Sequence, residues 1–329
     1  MSGFEENEIS LNSQGGTESV KRGLAERLDF ELLKDFQIIC SRVRHIEEDK
    51  IRVYWLHDLP EDPETNHIKD AHSRDRFHQL VFCGNWQYSR YQLVCGVPYN
   101  TSSIVIDTPI EPAPLVEKDF STIRLMYTST PQRGLNILVP VFEELAKTHK
   151  NIHLDVFSSF KIYGWEQADT QYEPIYERIR NHPQMTYHGF APNEIVKEHL
   201  LQAHIHAYPS IWLECNSRSV IEAMSSGLLC VHPNYGGLTD TSGGMNFMYQ
   251  GDQDLNKHAS IFYHALDHAI KRVSTDDVQQ HLRLTKLYAD SRYSWDRITS
   301  IWTDLLLNLK DRYPTIESRK VQDKFYYET

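Results

Sequence analysis

The chain has 329 residues, of which 40% are hydrophobic and 11% aromatic. This composition offers enough apolar surface for a folded core and argues against global disorder. At roughly 150 residues per domain, the length predicts two domains. The 45 acidic and 34 basic residues give a formal net charge of −11, which argues against sequence-independent nucleic-acid binding, because such binding needs a basic surface.

The beginning of the chain and its cysteines bear on cellular location. No apolar run approaches the about 18 to 20 residues that span a bilayer, and the start, MSGFEENEIS, lacks the basic and apolar regions of a secretory signal. The five cysteines are scattered and contain no Cys-x-x-Cys pair, which argues against a disulfide framework or a zinc knuckle. We therefore expect a cytoplasmic protein with reduced thiols and no membrane span.

Short apolar runs alternate with longer segments of helical periodicity, a pattern typical of parallel α/β architecture. Before the proline cluster TPIEPAP (108–114), a helix is predicted over 17–35 and strands over 36–43, 50–56, 78–83 and 102–107. After it, strands are predicted over 123–129, 151–159, 185–190, 204–210 and 228–233. Helices are predicted over 135–149, 193–202, 217–226, 254–272 and about 276–310.

The proline cluster divides the chain. Pro109, Pro112 and Pro114 impose extended backbone and remove hydrogen-bond donors, as expected of a linker. The predicted domains are an unusually small N-terminal one over 1–112 and a C-terminal one over 113–305. The charged, weakly patterned residues 306–329 are predicted to form a tail, with a strap across the protein as the alternative.

The most informative segment, residues 203–233, is predicted to form a strand, a loop, a helix and a second strand. Its loop, PSIWLECNS, leaves the carboxyl end of a parallel strand, where open α/β sheets bind ligands. Glu214 lies in this loop. Glu222 lies within the apolar helix, where a buried carboxylate needs a partner; an exposed position on the far face is the alternative.

Glu214 and Glu222 are separated by seven residues and lie within PSIWLE and IEAMSSG. This arrangement resembles the E-x7-E motif of retaining family 4 glycosyltransferases. The resemblance implies the GT-B fold, with two Rossmann-like domains whose parallel sheets face a cleft. It also implies that Glu214 faces the donor sugar and that Glu222 binds the ribose. The backbone amides of Cys215, Asn216 and Ser217 would then meet phosphate oxygens or sugar hydroxyls.

A second segment, MYTSTPQRGLNILVPVFEEL (126–145), resembles the same family's strand, basic residue, glycine and helix. Arg133 and the amides that open the helix at Gly134 would meet the donor diphosphate. A solvated arginine before a helix is the alternative. The family often has an earlier basic residue where this chain has Thr128, Ser129 and Thr130. Neutralisation of the diphosphate charge would therefore depend on Arg133, and Lys161 is the candidate for a second cation.

In the N-terminal half, NSQGGTES (12–19) resembles the family's glycine loop, with Gly15 and Gly16 beside the donor. The strand that normally precedes this loop is predicted to be short or absent. His57, after the strand 50–56, matches a family histidine near the transferred sugar. His57 with Asp58 would also suit acid–base chemistry, and a structural histidine is the alternative. The loop YGGLTD (235–240) is a weaker glycine-loop signal.

Two patterns resemble metal sites. Asp252 and Asp254 form an Asp-x-Asp pair, but Asp254 is better interpreted as a helix cap. His264 and His268 lie four residues apart on one predicted helix, but no third ligand has suitable spacing. We predict no metal site.

The predicted function is transfer of a sugar from a nucleoside-diphosphate donor to a hydroxyl acceptor, with retention of anomeric configuration and without a metal or other cofactor. The alternatives are a non-catalytic nucleotide-sugar or glycan-binding protein and, third, a nucleotide-sugar epimerase. The C-terminal domain would bind the donor and the reduced N-terminal domain the acceptor. A glycan, lipid-linked or protein acceptor stays open, as does peripheral membrane contact; an acidic N-terminal half favours a soluble or protein acceptor.

Overall fold

The computed structural model describes residues 3–4 and 15–320. The chain divides into two units. Unit 1 comprises the chain through Pro109 together with the chain from Trp295 onward, and unit 2 comprises Ile110–Ser294. The division after Pro109 falls inside the predicted proline linker.

The described chain is a succession of short strands and helices. Its strands are β1 Phe36–Cys40, β2 Ile51–Leu56, β3 Gln79–Phe82, β4 Ser103–Val105, β5 Ile123–Thr128, β6 Ile152–Phe157, β7 Met185–Tyr187, β8 Ile205–Ala207, β9 Leu229–Pro233 and β10 Phe247–Tyr249. Its α-helices are α1 Gly16–Arg27, α2 Phe30–Leu33, α3 Ala71–Asp75, α4 Asn85–Cys95, α5 Leu135–Thr148, α6 Glu173–Asn181, α7 Asn193–Gln202, α8 Arg218–Ser225, α9 Leu238–Ser242, α10 Leu255–Arg272, α11 Asp276–Tyr293, α12 Trp295–Arg312 and α13 Ile316–Arg319.

Unit 1 is built on a parallel sheet of order β1-β2-β3-β4. Every residue of β1, β2 and β3 is buried, as expected when helices cover both faces of a parallel sheet. One face packs against α1, α2 and α12. The other packs against α4.

The start of unit 1 differs in detail from the prediction. Phe4 forms an isolated parallel bridge with Ile38, and residues 5–14 lie outside the described residues. The predicted helix over 17–35 is two helices, α1 and α2. The chain breaks between them because Asp29 caps α2, its Oδ1 accepting from the amide of Glu31 at 2.7 Å.

The structure corrects the prediction for the C-terminal segment. The single helix predicted to 310 is two helices, α11 and α12, with extended backbone at Ser294 between them. Helix α12 buries Trp295, Ile298, Trp302, Leu306 and Leu309 in unit 1. Their helical spacing gives α12 an apolar stripe that needs a core, so residues 295–305 are not part of unit 2 and 306–320 are not a loose tail. Residues 321–329 lie outside the described residues.

Unit 2 is built on a parallel sheet of order β10-β9-β8-β5-β6-β7. The chain moves outward from β5 to β6 and β7, then returns to β8 on the other side of β5. Connections after β5 and β8 therefore leave the same edge in opposite directions, which places a topological switch point at their carboxyl ends. The two parallel sheets confirm the α/β prediction, and all nine predicted strands are present. The short strand β10 was missed.

All five cysteines are free thiols, and Cys215 is the one that is partly exposed. Burial raises the pKa of the Cys83 thiol to about 12, so this thiol stays protonated and inert. Within the described part of the chain, no helix has both the length and the apolar character needed to cross a membrane.

Candidate functional site

The connection from β5 to α5 positions Arg133 at the switch point of unit 2. A short 3-10 turn over Pro131–Arg133 follows the strand, and Gly134 then takes a φ of 130°. A Cβ atom at Gly134 would lie 2.3 Å from the carbonyl oxygen of Pro209. Only glycine therefore lets this turn approach the loop after β8, and the leading amides of α5 open at the same edge.

The loop after β8 positions Glu214 beside this turn. The amide of Ile211 donates to the carbonyl of Arg133 at 3.3 Å, which joins the two connections. From the other side, the amide of Gly237 donates to the carbonyl of Glu214 at 2.7 Å. A Cβ atom at Gly237 would lie 2.4 Å from the carbonyl oxygen of Cys215. The YGGLTD segment thus supports the Glu214 loop through its backbone.

Arg133 and Glu214 form an ion pair that sequence reasoning did not predict, since 81 positions separate them. The Arg133 Nη1 atom lies 2.7 and 2.9 Å from the two carboxylate oxygens of Glu214. The Tyr208 hydroxyl also donates to Glu214 Oε1. Glu214 is 5% exposed, so its charge is balanced inside the protein rather than by water.

The electrostatics of this group keep Arg133 charged. Burial acts to lower the pKa of Arg133, but the Glu214 carboxylate and Tyr208 raise that pKa well above its usual value. Burial, followed by the Glu214 charge, raises the pKa of Tyr208 above its usual value. Tyr208 therefore remains a hydroxyl donor, and Arg133 remains a guanidinium.

Several buried polar atoms at this edge have no hydrogen-bond partner among the described residues. They are Arg133 Nε, Thr130 Oγ1, Gln132 Oε1 and both amide atoms of Asn216. Buried polar atoms in folded proteins are nearly always paired, so a concentration of unpaired ones calls for a ligand or water. This edge carries cationic, amide and hydroxyl groups whose hydrogen bonds the described residues leave open.

The remaining residues of the predicted motif have partners of their own. The amide of Ser217, which precedes α8, donates to Thr241 Oγ1 at 3.3 Å. Glu222 Oε1 accepts from Arg218 Nε at 3.0 Å, and the Glu222 side chain is 14% exposed. Glu222 is therefore a largely buried carboxylate with a cation partner one turn earlier, and not a glutamate on the far face.

The positions where the family often has an earlier basic residue carry hydroxyls that join neighbouring side chains. Ser129 Oγ lies 3.4 Å from the Tyr208 hydroxyl, and Thr128 Oγ1 lies 3.3 Å from His206 Nε2. Lys161, the guessed second cation, is exposed and paired with Glu166 at 2.9 Å. The nearby Tyr163, in the same turn as Lys161, adds to the electrostatic field at Arg133.

In unit 1, His57 follows the carboxyl end of β2. Its Nδ1 atom lies 3.4 Å from Cys83 Sγ, and its ring centroid lies 4.5 Å from that of Trp55. Burial lowers the pKa of His57 to about 3, so its imidazole is neutral at physiological pH. Burial raises the pKa of Asp58, and the two side chains do not act as an imidazolium–carboxylate pair. The His57 Nε2 atom is buried without a hydrogen-bond partner.

The glycine pair precedes a helix, as predicted. Gly15 is the N-cap of α1, and its carbonyl accepts from the amide of Ser19 at 3.1 Å. Among the described residues, a Cβ atom at Gly16 would meet nothing within 4 Å, so their packing does not require glycine there. Residues 12–14 of the predicted loop lie outside the described residues.

Of the two patterns that resemble metal sites, the Asp252–Asp254 pair contains a helix cap, and the His264–His268 pair joins no ligand cluster among the described residues. Asp254 caps α10, its Oδ1 accepting from the amides of Asn256 and Lys257, which confirms that prediction. His264 and His268 belong to no cluster of metal-ligating groups in the described ranges. A different cluster of possible metal ligands is formed by Asp155, His188 and His199. These three residues are well separated in the chain, so no local sequence motif indicated them.

Comparison with known proteins defines the class of fold. The glycosyltransferase of Rickettsia africae ESF-5 superposes with a TM-score of 0.67 at 14% identity, over 93% of this chain and 84% of that one. Sucrose-phosphate synthase from Thermosynechococcus elongatus gives 0.67 at 12% identity, over 89% and 78%. Anabaena Alr3699/HepE, solved with UDP and glucose, gives 0.62 at 15% identity, over 88% and 81%. The chain has the GT-B fold of these structures.

A family model then identifies the domain. Residues 115–243 match the family described as "Glycosyl transferases group 1". This range contains Arg133, Gly134, Glu214 and Glu222. The matched residues all lie in unit 2, which therefore resembles a group 1 glycosyltransferase domain over 115–243. No curated protein matches the chain.

Proposed function

We propose that this protein transfers a sugar from a nucleoside-diphosphate sugar to a hydroxyl acceptor, with retention of anomeric configuration and without a metal in the chemical step. The observation that carries the proposal is the group of unpaired buried polar atoms around Arg133 at the switch point of unit 2. A diphosphate is the ligand class that suits this edge, because it presents many acceptor oxygens and two negative charges to a guanidinium and helix amides.

Arg133 would bind the diphosphate through Nε while its Nη1 remains on Glu214. This arrangement needs no exchange of partners, because Nε is unpaired in the structure and Nη1 is already bound. As the bond between the anomeric carbon and the diphosphate oxygen breaks, negative charge grows on the leaving group. Arg133 and the leading amides of α5 would stabilise that charge without a metal ion.

Glu214 would act on the other side of the breaking bond. The anomeric carbon becomes electron-poor as the leaving group departs, and a buried carboxylate stabilises that charge. Tyr208 and Arg133 hold the carboxylate in one orientation. The acceptor oxygen would form its bond on the face that the diphosphate leaves, and the acceptor proton would pass to a departing phosphate oxygen. Glu222, held by Arg218, would bind the ribose hydroxyls.

For unit 1 we propose a role in contacting the sugar and the donor through His57, Gly15 and Gly16. The support comes from unit 1 alone: a neutral imidazole with an unpaired Nε2 at a strand end, and open space beside Gly16. A neutral His57 would donate or accept one hydrogen bond to a sugar hydroxyl. At physiological pH it would not act as an imidazolium acid.

The test is turnover with a panel of nucleotide sugars and sugar acceptors, measured as release of nucleoside diphosphate. UDP-glucose is the first donor to try, since Alr3699/HepE was solved with UDP-glucose. We expect Glu214→Ala to lower kcat by about 100- to 1,000-fold, the size of losing one preorganised electrostatic group. Glu222→Ala should chiefly raise the donor KM, and added Mg²⁺ or Mn²⁺ should leave kcat unchanged.

The matched control is Arg178→Ala, which removes an exposed arginine that is paired with Glu143 in the same unit. It should keep wild-type kcat and KM. Full activity in both Glu214→Ala and Glu222→Ala would show that the residue assignment is wrong. Donor binding, seen as a rise in Tm, with no turnover for any acceptor would favour a non-catalytic nucleotide-sugar-binding protein. That second candidate is supported by a Glu214 carboxylate that already has two partners.

A further inference from the structure

A separate cluster of ligating side chains lies on the outer strands of the unit 2 sheet. Asp155 belongs to β6, His188 follows β7, and His199 belongs to α7. One ligand atom from each of the three lies within 4.8 Å of the other two. Asp155 and His188 are 33 positions apart in the chain, and the parallel sheet brings them together, so no local spacing in the sequence indicates this cluster.

The distances are near those of a metal site. Asp155 Oδ1 lies 2.7 Å from His188 Nε2 and 3.8 Å from His199 Nδ1. Zinc binds nitrogen and oxygen at about 2.0–2.2 Å in a tetrahedron, which puts neighbouring ligand atoms about 3.3 Å apart. The two distances to Asp155 Oδ1 differ from that spacing by less than about 1 Å, and the two histidine ligand atoms lie within 4.8 Å of each other. A zinc ion would replace the hydrogen bond between Asp155 and His188 and would need only small shifts of the two rings from the positions that packing sets.

Packing restricts the rings to this arrangement. The ring of His188 stacks on Phe157, with centroids 4.2 Å apart and an interplanar angle of 2°. The ring of His199 meets the same Phe157 edge-on at 5.0 Å. A fourth candidate, His153, is held by Thr186 at 2.9 Å and lies 4.0 Å from Asp155 Oδ1. Its hydrogen bond to Thr186 keeps His153 out of the cluster.

We propose that Asp155, His188 and His199 bind one Zn²⁺ ion that fastens α7 to the sheet. Two imidazoles and a carboxylate are ligands that zinc prefers. A zinc ion would stabilise the packing of α7 against the sheet. Leu200 is the one buried residue of this helix among those described, and helices in proteins depend on tertiary burial for their stability. The site shares no residue with the proposed donor site, so the two proposals stand or fail independently.

Zinc titration of the untagged, chelator-treated full chain by calorimetry tests the proposal. We expect one zinc ion per chain. His188→Ala and His199→Ala should each weaken binding by about 100-fold, one ligand's share of a zinc site. The matched control is His264→Ala with His268→Ala, which removes two exposed histidines of α10 in the same unit and should keep wild-type affinity. Zinc should also slow amide hydrogen exchange in α7 of the wild type, and not in His199→Ala.

His199 is the more exposed of the two histidines, at 35% of its side chain against 21% for His188, so His199→Gln offers a variant that folds. A folded His199→Gln protein that binds one zinc ion with wild-type affinity would overturn the proposal. Absence of stoichiometric binding in the wild type would overturn it too, as would loss of binding in the α10 control. Each of these results leaves the donor-site proposal untouched.

Discussion

Each unit has an arginine beside its sheet, Arg52 fully buried and Arg133 half-buried, and the two have opposite kinds of surroundings. Arg52 of β2 is 1% exposed and donates to five backbone carbonyls. Arg133 of unit 2 pairs with the Glu214 carboxylate and keeps a buried Nε without a partner. Burial lowers the pKa of Arg52, whereas Glu214 raises that of Arg133 against the effect of burial. The hydrogen bonds of Arg52 are all used by the fold, whereas Arg133 keeps one donor that the described residues do not use and that we propose for the diphosphate.

The carbonyls around Arg52 also explain why the C-terminal segment belongs to unit 1. Arg52 Nη2 donates to the carbonyl of Arg319 at 2.7 Å, and Arg319 Nη2 donates to Asp35 Oδ1 at 3.0 Å. The end of the described chain is thereby tied to β2 by buried polar contacts. Arg133 has no comparable set of carbonyl partners among the described contacts.

Arg52→Met should give the largest loss of stability, about 4–5 kcal/mol. The lost charged hydrogen bonds, of about 1.5–3 kcal/mol each, and the carbonyls left unpaired are partly offset because methionine carries no charge to bury. Hydrogen exchange read by mass spectrometry would locate the loss in β2 and in residues 313–320. The donor should not restore stability, since Arg52 faces no ligand. A loss below about 1 kcal/mol would show that the carbonyl cluster is not structural.

Arg133→Met should cost less, about 3–4 kcal/mol, because it leaves the Glu214 carboxylate buried with Tyr208 as its remaining partner. Adding Glu214→Gln should recover most of the loss, since a neutral side chain no longer needs the cation. Urea unfolding followed by circular dichroism would measure both. Arg178→Met, at an exposed ion pair, should change stability by less than about 1 kcal/mol. Equal loss in the single and double variants would contradict the buried ion pair.

Acidification should lower the stability of both units, because each holds a histidine that is kept neutral in the folded protein. Burial lowers the pKa of His206 and of His57 to about 3. The folded-state pKa lies below the unfolded value near 6.5, so the unfolded chain binds protons first. Stability is complete above about pH 7 and is lost as the pH falls from 6.5 toward 3. His206, which is fully buried, should account for about 2 kcal/mol at pH 5.

The measurement is urea unfolding at pH 7.5 and pH 5.0. His206→Gln should reduce the difference between the two pH values by about 2 kcal/mol, whatever its effect at pH 7.5. His57→Gln should reduce the difference as well. The exposed His264→Gln should leave the pH dependence unchanged, and an unchanged value in His206→Gln would mean that His206 is charged in the folded protein.

Local sequence pattern was enough to predict the strands, most helices and the two loops at the switch point of unit 2. The strand, turn, glycine and helix over 123–148 are neighbours in sequence, and their order predicts that Arg133 lies at a strand's carboxyl end. The same holds for Glu214 after β8. The cap at Asp254 is predicted from Asp254 and the few residues that follow it, because a cap hydrogen bond reaches only into the first helical turn.

What only the tertiary structure decided involves residues far apart in the chain. The Arg133–Glu214 pair, the burial of α12 in unit 1 and the Asp155–His188–His199 cluster each join segments that the sheet order brings together. Periodicity predicts that a helix has an apolar face, but not which core that face packs against. Likewise, the position of a charged residue after a strand predicts that it lies at a sheet edge, but not which residue it pairs with. The acidic net charge was evident from composition, and two domains were predicted from length. The partners of its buried charges were not, because they depend on which strands lie side by side.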